Sequence, residues 1–284
     1  MKKTWDPAWL DSMYNNRELV SDSADYRQRW GVDSTEATRT QMCELDIRYG
    51  GGPGEHLDVF ATDQADAPVL FFIHGGYWRA MDKKDHSFIA PVFTRQGVCV
   101  VVPNYALAPT VTVPEITMQM VQALAWTWRN VAAHGGNPAR ITVAGHSAGG
   151  HLAAMMLACL WPVYGKDLPA DLVKNALSIS GLHDLDPIMR TPFLQPDLQL
   201  TQQQVRQASP ALLPAPLQGT LAAVSGAQES EEFHRQMQLI RDAWGRKTVS
   251  VCETLPGLNH FSVLDALVEP DHRLHRIALE LLEA

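Results

Sequence analysis

Residues 145–149 read Gly145-His146-Ser147-Ala148-Gly149 and follow directly on the apolar run Ile141-Thr142-Val143-Ala144. A strand that passes through G-x-S-x-G into a helix turns so sharply that its serine leaves relaxed backbone space. Residues two before and two after the serine must be small, because a Cβ at either would strike the folded-back chain. Gly145 and Gly149 meet that need. The stretch from Gly150 to Leu160 is apolar and rich in helix formers, so it predicts a buried helix whose N-terminus points at Ser147. An ordinary strand-to-helix turn is the plainer reading of the pentapeptide. The strand before it and the helix after it favour an exposed serine nucleophile.

Bulk properties narrow the field. The chain has 284 residues, 46% of them hydrophobic, which suits a single domain with one large core. Net charge is −8 and no run of lysine or arginine stands out, so nucleic acid is not an expected partner. The four cysteines, Cys43, Cys99, Cys159 and Cys252, are far apart and form no C-x-x-C pair. They read as buried free thiols of a reducing compartment. The start, Met1 to Pro7, has lysines but no apolar stretch behind them, unlike a signal peptide. No segment approaches the ~18 apolar residues of a membrane span. The expectation is a cytoplasmic protein with no membrane partner, its homo-oligomeric state left open.

Along the chain, the first 42 residues predict one or two helices laid over the domain. Cys43–Tyr49 and His56–Ala61 alternate like paired strands, with Gly50–Gly54 as the hairpin loop. That glycine cluster lacks the following Lys-Ser/Thr and the helix of a phosphate cradle. Val69–Ile73 and Val98–Val102 are continuous apolar runs, as in strands covered on both faces. A helix around His86–Gln96 separates them. Ile116, Met120, Leu124 and Trp128, spaced by four, predict a long helix that starts near Pro114 and ends at Gly135-Gly136. Ala176–Ser180, Leu221–Ser225 and Thr248–Cys252 read as later strands. Glu231–Trp244 and Ser262–Leu282 read as helices. Strands alternating with helices imply a mostly parallel sheet of about eight strands with helices on both faces. Residues 185–217, rich in proline and glutamine, read as a partial lid above the C-terminal edge of the sheet.

A serine needs a base to take its proton and a carboxylate to orient that base. When the order is serine, acid, histidine, the base follows the last strand. Of eleven histidines, His260 alone lies between the last predicted strand and the last helix. The acid should follow the strand before that. Glu229 comes first at that turn, while Glu231 and Glu232 look like first-turn residues that favour the helix dipole. Asp184, one strand earlier, is the rival. The oxyanion of an acyl-transfer intermediate needs backbone donors. Ala148 supplies one amide, and the loop His74-Gly75-Gly76-Tyr77-Trp78 supplies the others from Gly75, Gly76 and Tyr77. Tyr77 and Trp78 either wall the substrate or pack under the loop. His146 and His151 read as hydrogen-bonded structural groups, His146 beside the substrate. No H-E-x-x-H is present, and His272 and His275 fall on a helix that looks exposed, so no metal site is expected.

Several segments together resemble the kynurenine formamidase (arylformamidase) branch of the hormone-sensitive-lipase-like α/β-hydrolases. They are His74–Trp78, Asn104-Tyr105-x-Leu107-x-Pro109, Gly145–His151, Ser180–Leu185, Gln228–Gln236 and Met13–Arg17. The resemblance implies an α/β-hydrolase fold and a Ser147-His260-Glu229 triad with glutamate where aspartate is more usual. It implies a small-molecule ester or N-formyl aryl amide as substrate, with no metal or organic cofactor. Tyr77, Trp78, Tyr105 and His146 are the substrate-binding expectations. Two other readings of the sequence are a non-catalytic binding protein on this fold, and thioesterase or lyase chemistry.

Overall fold

The computed structural model describes residues 5–283; residues 1–4 of the expected N-terminal segment, and residue 284, lie outside the described residues. Eight strands form one sheet: β1 Cys43–Arg48, β2 His56–Phe60, β3 Ala67–Ile73, β4 Cys99–Pro103, β5 Gly136–His146, β6 Val173–Ile179, β7 Thr220–Gly226 and β8 Val249–Leu255. Their order is β1-β2-β4-β3-β5-β6-β7-β8. β2 is antiparallel to both β1 and β4, and the remaining pairs are parallel. Gly50–Gly54 joins β1 to β2 as the expected hairpin. This is the α/β-hydrolase architecture.

The apolar runs explain the layering. In β3, Val69, Phe71 and Ile73 face one side and pack with Ile116, Met120, Leu124 and Leu152. Leu70 and Phe72 face the other and pack with Phe88, Phe93, Leu264 and Ile277. Successive side chains of a strand alternate in direction, so a run without polar residues is stable only between two helical layers. Each such Leu, Ile or Phe contributes about 1.5–3 kcal/mol by leaving water. The helix Val113–Asn130 begins with a capping box of Thr112 and Glu115 and has Pro114 in its first turn.

Several local expectations are revised. The N-terminal segment holds three helices, Pro7–Tyr14, Asn16–Leu19 and Ser23–Thr40. The helix expected around 86–96 is shorter: two 3₁₀ turns, Lys83–Asp85 and Ser87–Ile89, precede a helix over Ala90–Thr94. The long helix ends at Asn130 rather than at the glycines. A 3₁₀ turn, Val131–His134, and Gly135 at φ 84° then lead into β5, so Gly136 belongs to the strand. The last helix is two, Ser262–Val268 and Arg273–Glu283. Pro270 forces the break, because proline has no N–H to donate and drives Glu269 into extended backbone (φ −91°, ψ 108°). All four cysteines are free, but only Cys99 is fully buried. Residues 185–217 fold as short helices Asp186–Arg190, Gln195–Leu198 and Gln202–Ala208 and a turn Pro210–Leu212. Among the described residues no helix is long and apolar enough to cross a membrane.

A buried ion pair ties the segment after β3 to the antiparallel edge. Lys83 Nζ lies 2.6 Å from Asp58 Oδ1 on β2 and 2.8 Å from Asp46 Oδ1 on β1. Lys83 is 4% and Asp58 2% exposed, so neither charge is solvated alone. Removing one partner strands the other. Lys83→Met is expected to lower the unfolding free energy by about 3–5 kcal/mol in urea denaturation, and Lys83→Met with Asp58→Leu to recover most of it. A loss below about 1 kcal/mol in the single variant contradicts this account.

Candidate active site

Ser147 adopts φ 57° and ψ −117°, the strained backbone expected of the turn between β5 and the helix Ala148–Leu157. A Cβ on Gly145 would stand 2.2 Å from the Gly149 carbonyl oxygen, and one on Gly149 would stand 2.0 Å from the Ile73 carbonyl oxygen. Glycine is therefore required at both places. The Ser147 amide donates to Ile179 O of β6 at 2.8 Å. Two neighbouring strands thus hold a conformation that costs about 1–3 kcal/mol on its own.

His260 lies in the loop after β8. Its Nδ1 is 2.6 Å from Glu229 Oε2. The second oxygen, Oε1, accepts from the Gly226 amide at 2.7 Å and the Ser180 hydroxyl at 2.5 Å. The carboxylate is wholly buried, and three donors surround it. Asp184 is engaged elsewhere. Its Oδ1 accepts from the Asp186 amide at 3.0 Å, and Oδ2 lies 3.5 Å from Arg235. Of the two carboxylates, Glu229 is the one in contact with the imidazole. Asn259 Oδ1 accepts from the amides of Phe261 and Ser262 at 2.8 and 2.9 Å, which fixes the loop. The His260 ring packs 4.7 Å from the Phe233 ring. His146 Nε2–H donates to the His260 carbonyl at 2.8 Å.

With Nδ1 turned to the carboxylate, Nε2 is the remaining ring nitrogen of His260. His260, Ser147 and His146 line one cavity of about 340 Å³. That size suits a small ligand. Among the described residues no hydrogen bond joins Ser147 Oγ to His260 Nε2; such contacts often tighten only once substrate is bound.

The loop after β3 has three successive left-handed residues, Gly76 (φ 101°), Tyr77 (φ 49°) and Trp78 (φ 56°). Side chains seldom tolerate one such residue, so outside bonds must hold the loop. Tyr105 Oη donates to the carbonyls of His74 and Gly75 at 3.0 and 3.2 Å. The Ala108 amide donates to Trp78 O, and the Arg79 and Ala80 amides to Gly76 O. Tyr77 Oη donates to Tyr14 O at 2.7 Å. A Cβ on Gly75 would come within 3.2 Å of Ser147 Cβ, so the loop lies directly against the elbow. Among the described residues no oxygen accepts from the amides of Gly75, Gly76, Tyr77 or Ala148.

Two substrate-binding expectations are corrected. Trp78 is fully buried and meets the His151 ring edge-on at 5.0 Å. It packs beneath the loop, its ring edge-on to that of Tyr77 at 6.4 Å. Tyr105 is 1% exposed and stacks on His74 at 4.2 Å. It braces the loop from behind and does not line the cavity. Tyr77 and His146 do line it. Glu232 lies in the first turn of its helix as expected, and it is buried, accepting from Tyr14 Oη at 2.7 Å and pairing with Arg235. One surface reading changes: His275, expected on an exposed helix, is buried, with Nδ1 donating to Leu267 O at 2.8 Å.

The sequence reading missed the contribution of the N-terminal segment. Tyr14, Asn16, Arg17, Arg27 and Trp30 form one wall of the cavity, and Phe193 and Asp197 form part of another. Met13–Arg17 was conspicuous only as a block of resemblance. No periodicity ties it to a pocket built more than a hundred residues later. Ser180 was also missed as a partner of Glu229. It sits at φ 51° directly after β6, and only the fold brings it to β7.

Comparison with known proteins places this arrangement. A family model described as the alpha/beta hydrolase fold matches residues 70–236. With the sheet and the elbow above, the chain is a hydrolase of the α/β-hydrolase class. Kynurenine formamidase of Salmo salar is 30% identical over 249 residues, covering 84% of this chain and 81% of that protein. Its counterpart in Danio rerio is 29% identical over 246 residues, covering 84% and 81%. A crystal structure of a candidate thioesterase from a Silicibacter species is 28% identical and superposes with a TM-score of 0.84, covering 97% of this chain and 99% of that one. A Pyrobaculum calidifontis esterase, 18% identical with a TM-score of 0.68 over 99% of both chains, shares the fold. The chain belongs to the kynurenine formamidase branch of the α/β-hydrolase family.

Around the site, five buried histidines are held neutral. Burial is the leading cause in each case. His86 and His183 are pushed down to about 3 and His151 to about 4, while His74 and His146 also fall below the usual imidazole range. In the unfolded chain these imidazoles protonate near 6.5. Below that pH the unfolded state binds more protons than the folded one, so stability declines as pH falls through 6.5 toward the folded values. The unfolding free energy from urea titrations is expected to drop between pH 6.5 and 5, with a slope exceeding the roughly 1.4 kcal/mol per pH unit of a single proton. A flat profile across that interval refutes the prediction.

Proposed function

We propose that the protein is a serine hydrolase that cleaves a small carboxylic ester or an N-formyl aryl amide through an acyl- or formyl-enzyme. Ser147 Oγ attacks the substrate carbonyl while His260 Nε2 takes its proton. Glu229 holds the imidazole by Nδ1 and balances its charge once it is protonated. Electron density on the carbonyl oxygen is received by the amides of Gly76, Tyr77 and Ala148, with Gly75 alongside. Each such donor is worth about 3 kcal/mol of barrier. When the tetrahedral adduct collapses, His260 returns the proton to the leaving alcohol or amine. Water then attacks the acyl-serine, His260 again taking a proton, and releases the acid.

One observation carries this reading: the 2.6 Å contact of His260 Nδ1 with buried Glu229, in the cavity that also holds Ser147. The glutamate's extra methylene is no obstacle, because Ser180 and the Gly226 amide grip its far oxygen. The names of the relatives in fish support a formamide. A thioester is the alternative acyl donor, in keeping with the Silicibacter structure.

Ser147→Ala is expected to lower kcat/KM on a chromogenic short-chain ester by about 10⁴-fold or more while the thermal transition persists. Turnover surviving at more than a few per cent sinks the proposal. Glu229→Gln is expected to cost about 10³–10⁴-fold and Asp184→Asn only a few-fold. The opposite ranking reassigns the acid. Rates on N-formylkynurenine beside acyl esters of graded length decide between formamide and ester.

A further inference from the structure

The last turn of a helix leaves its carbonyl oxygens without donors of its own. In the helix Pro7–Tyr14 the cap amide, that of Asn15, returns to Asp11 O. The Met13 and Tyr14 carbonyls are taken by side chains from far along the chain. Tyr77 Oη donates to Tyr14 O at 2.7 Å, and Ser230 Oγ donates to Met13 O at 2.6 Å. Both donors belong to loops of the candidate active site. Tyr77 lies in the glycine loop, and Ser230 directly follows Glu229.

Neither contact is the local choice of its residue. Ser230 is the N-cap of the helix Glu231–Thr248, where a serine hydroxyl normally accepts from an amide of the first turn. Here it makes no such bond and reaches instead to a residue 217 positions away. Tyr77 is held at φ 49°, in left-handed backbone that a bulky side chain avoids, with its hydroxyl anchored at the helix end. Asn16 Nδ2 donates to the same hydroxyl at 3.4 Å. The helix end also reaches the base. The Tyr14 ring meets the Phe233 ring edge-on at 5.8 Å, and the Phe233 ring lies 4.7 Å from that of His260. Tyr14 Oη is fixed by Glu232 at 2.7 Å and by Gln236 at 3.1 Å. One turn of helix therefore touches the loop of the oxyanion amides, the turn of the acid, and the ring packed on the imidazole.

We propose that the end of the helix Pro7–Tyr14 is a clasp that sets the oxyanion amides in register with the acid and base, with Tyr77 and Ser230 as positioning residues acting through their hydroxyls. What is registered rests on the hydrolase reading above; the clasp itself stands on the two hydroxyl-to-carbonyl bonds. The glycine loop follows β3, whereas the acid and base follow β7 and β8, so no local segment fixes one against the other. Donors to a transition state act over a hydrogen-bond length. A shift of about 1 Å in the glycine loop is therefore costly in rate even where substrate still enters the cavity, and the loss falls on kcat.

The test uses the full-length protein with Tyr77→Phe, Ser230→Ala, both together, and Ser230→Thr, which keeps a hydroxyl. With phenyl acetate, Tyr77→Phe and Ser230→Ala are each expected to lower kcat by about 10- to 100-fold, with KM changed by less than about threefold. The double variant is expected to lose little more than the worse single one, because either break opens the same clasp. Ser230→Thr is expected to recover most of the rate. Hydrogen–deuterium exchange gives a readout independent of turnover. Ser230→Ala is expected to speed exchange in residues 75–80, and Tyr77→Phe in residues 227–232, each across the clasp from the substitution. Exchange that quickens only around the substituted residue overturns the proposal, and so does a rise spread evenly over the whole chain. Losses that multiply in full in the double variant, or that fall on KM alone, overturn it as well. If the wild-type protein turns over no ester, the hydrolase reading has failed by itself, and the exchange pattern alone decides the clasp.

Discussion

Ser147 stands at φ 57° because three strands leave it no alternative. The Gly149 Cα presses on the end of β3, the Gly145 Cα presses on the Gly149 carbonyl, and the Ser147 amide is bonded to β6. Any side chain at the two glycines would separate the helix from the sheet. The strain at one residue is therefore sustained by the packing of the central sheet, and the hydroxyl is delivered at its C-terminal edge. The other parts of the site are arranged around that point.

The same economy appears in the acid and base. A carboxylate without solvent needs donors on all sides. Glu229 obtains them from a backbone amide of its own turn, from Ser180 on the neighbouring connection and from His260. The imidazole is fixed by its Nδ1 contact and by the bond from His146 to its carbonyl. Behind the glycine loop, Tyr105 and His74 stack and hold the carbonyls away from the cavity, which leaves the amides of the loop unengaged. The chemistry is thus carried by few groups, each oriented by a second layer of buried polar residues.

Patterns of short range were legible in the chain. Continuous apolar runs marked β3 and β4, the spacing of four marked the helix from Val113, and small residues flanking Ser147 marked the elbow. His260 and Glu229 followed from their order relative to the strands. Where the reading went astray, a local preference met a tertiary demand. Ser262–Leu282 has helical periodicity, but Pro270 divides it. Trp78 and Tyr105 look like exposed aromatic residues beside a glycine loop, yet each fills space beneath it. Glu232 is the first-turn acid its place in the sequence suggests, but nothing local shows that the N-terminal helix Pro7–Tyr14 covers it by bringing Tyr14 onto it.

The amino-acid order by itself determined which backbone must bend, which segments must be covered on both faces, and which residue types are available for acyl transfer. These are consequences of steric exclusion and hydrophobic periodicity, which act over a few neighbouring residues. Only the tertiary structure decided that Tyr14, Asn16 and Trp30 wall the cavity, that Ser180 grips Glu229, and that Trp78 packs beneath the glycine loop. Those outcomes depend on how helices from distant parts of the chain pack against one sheet edge. A contact between residues two hundred positions apart leaves no periodic trace in either segment.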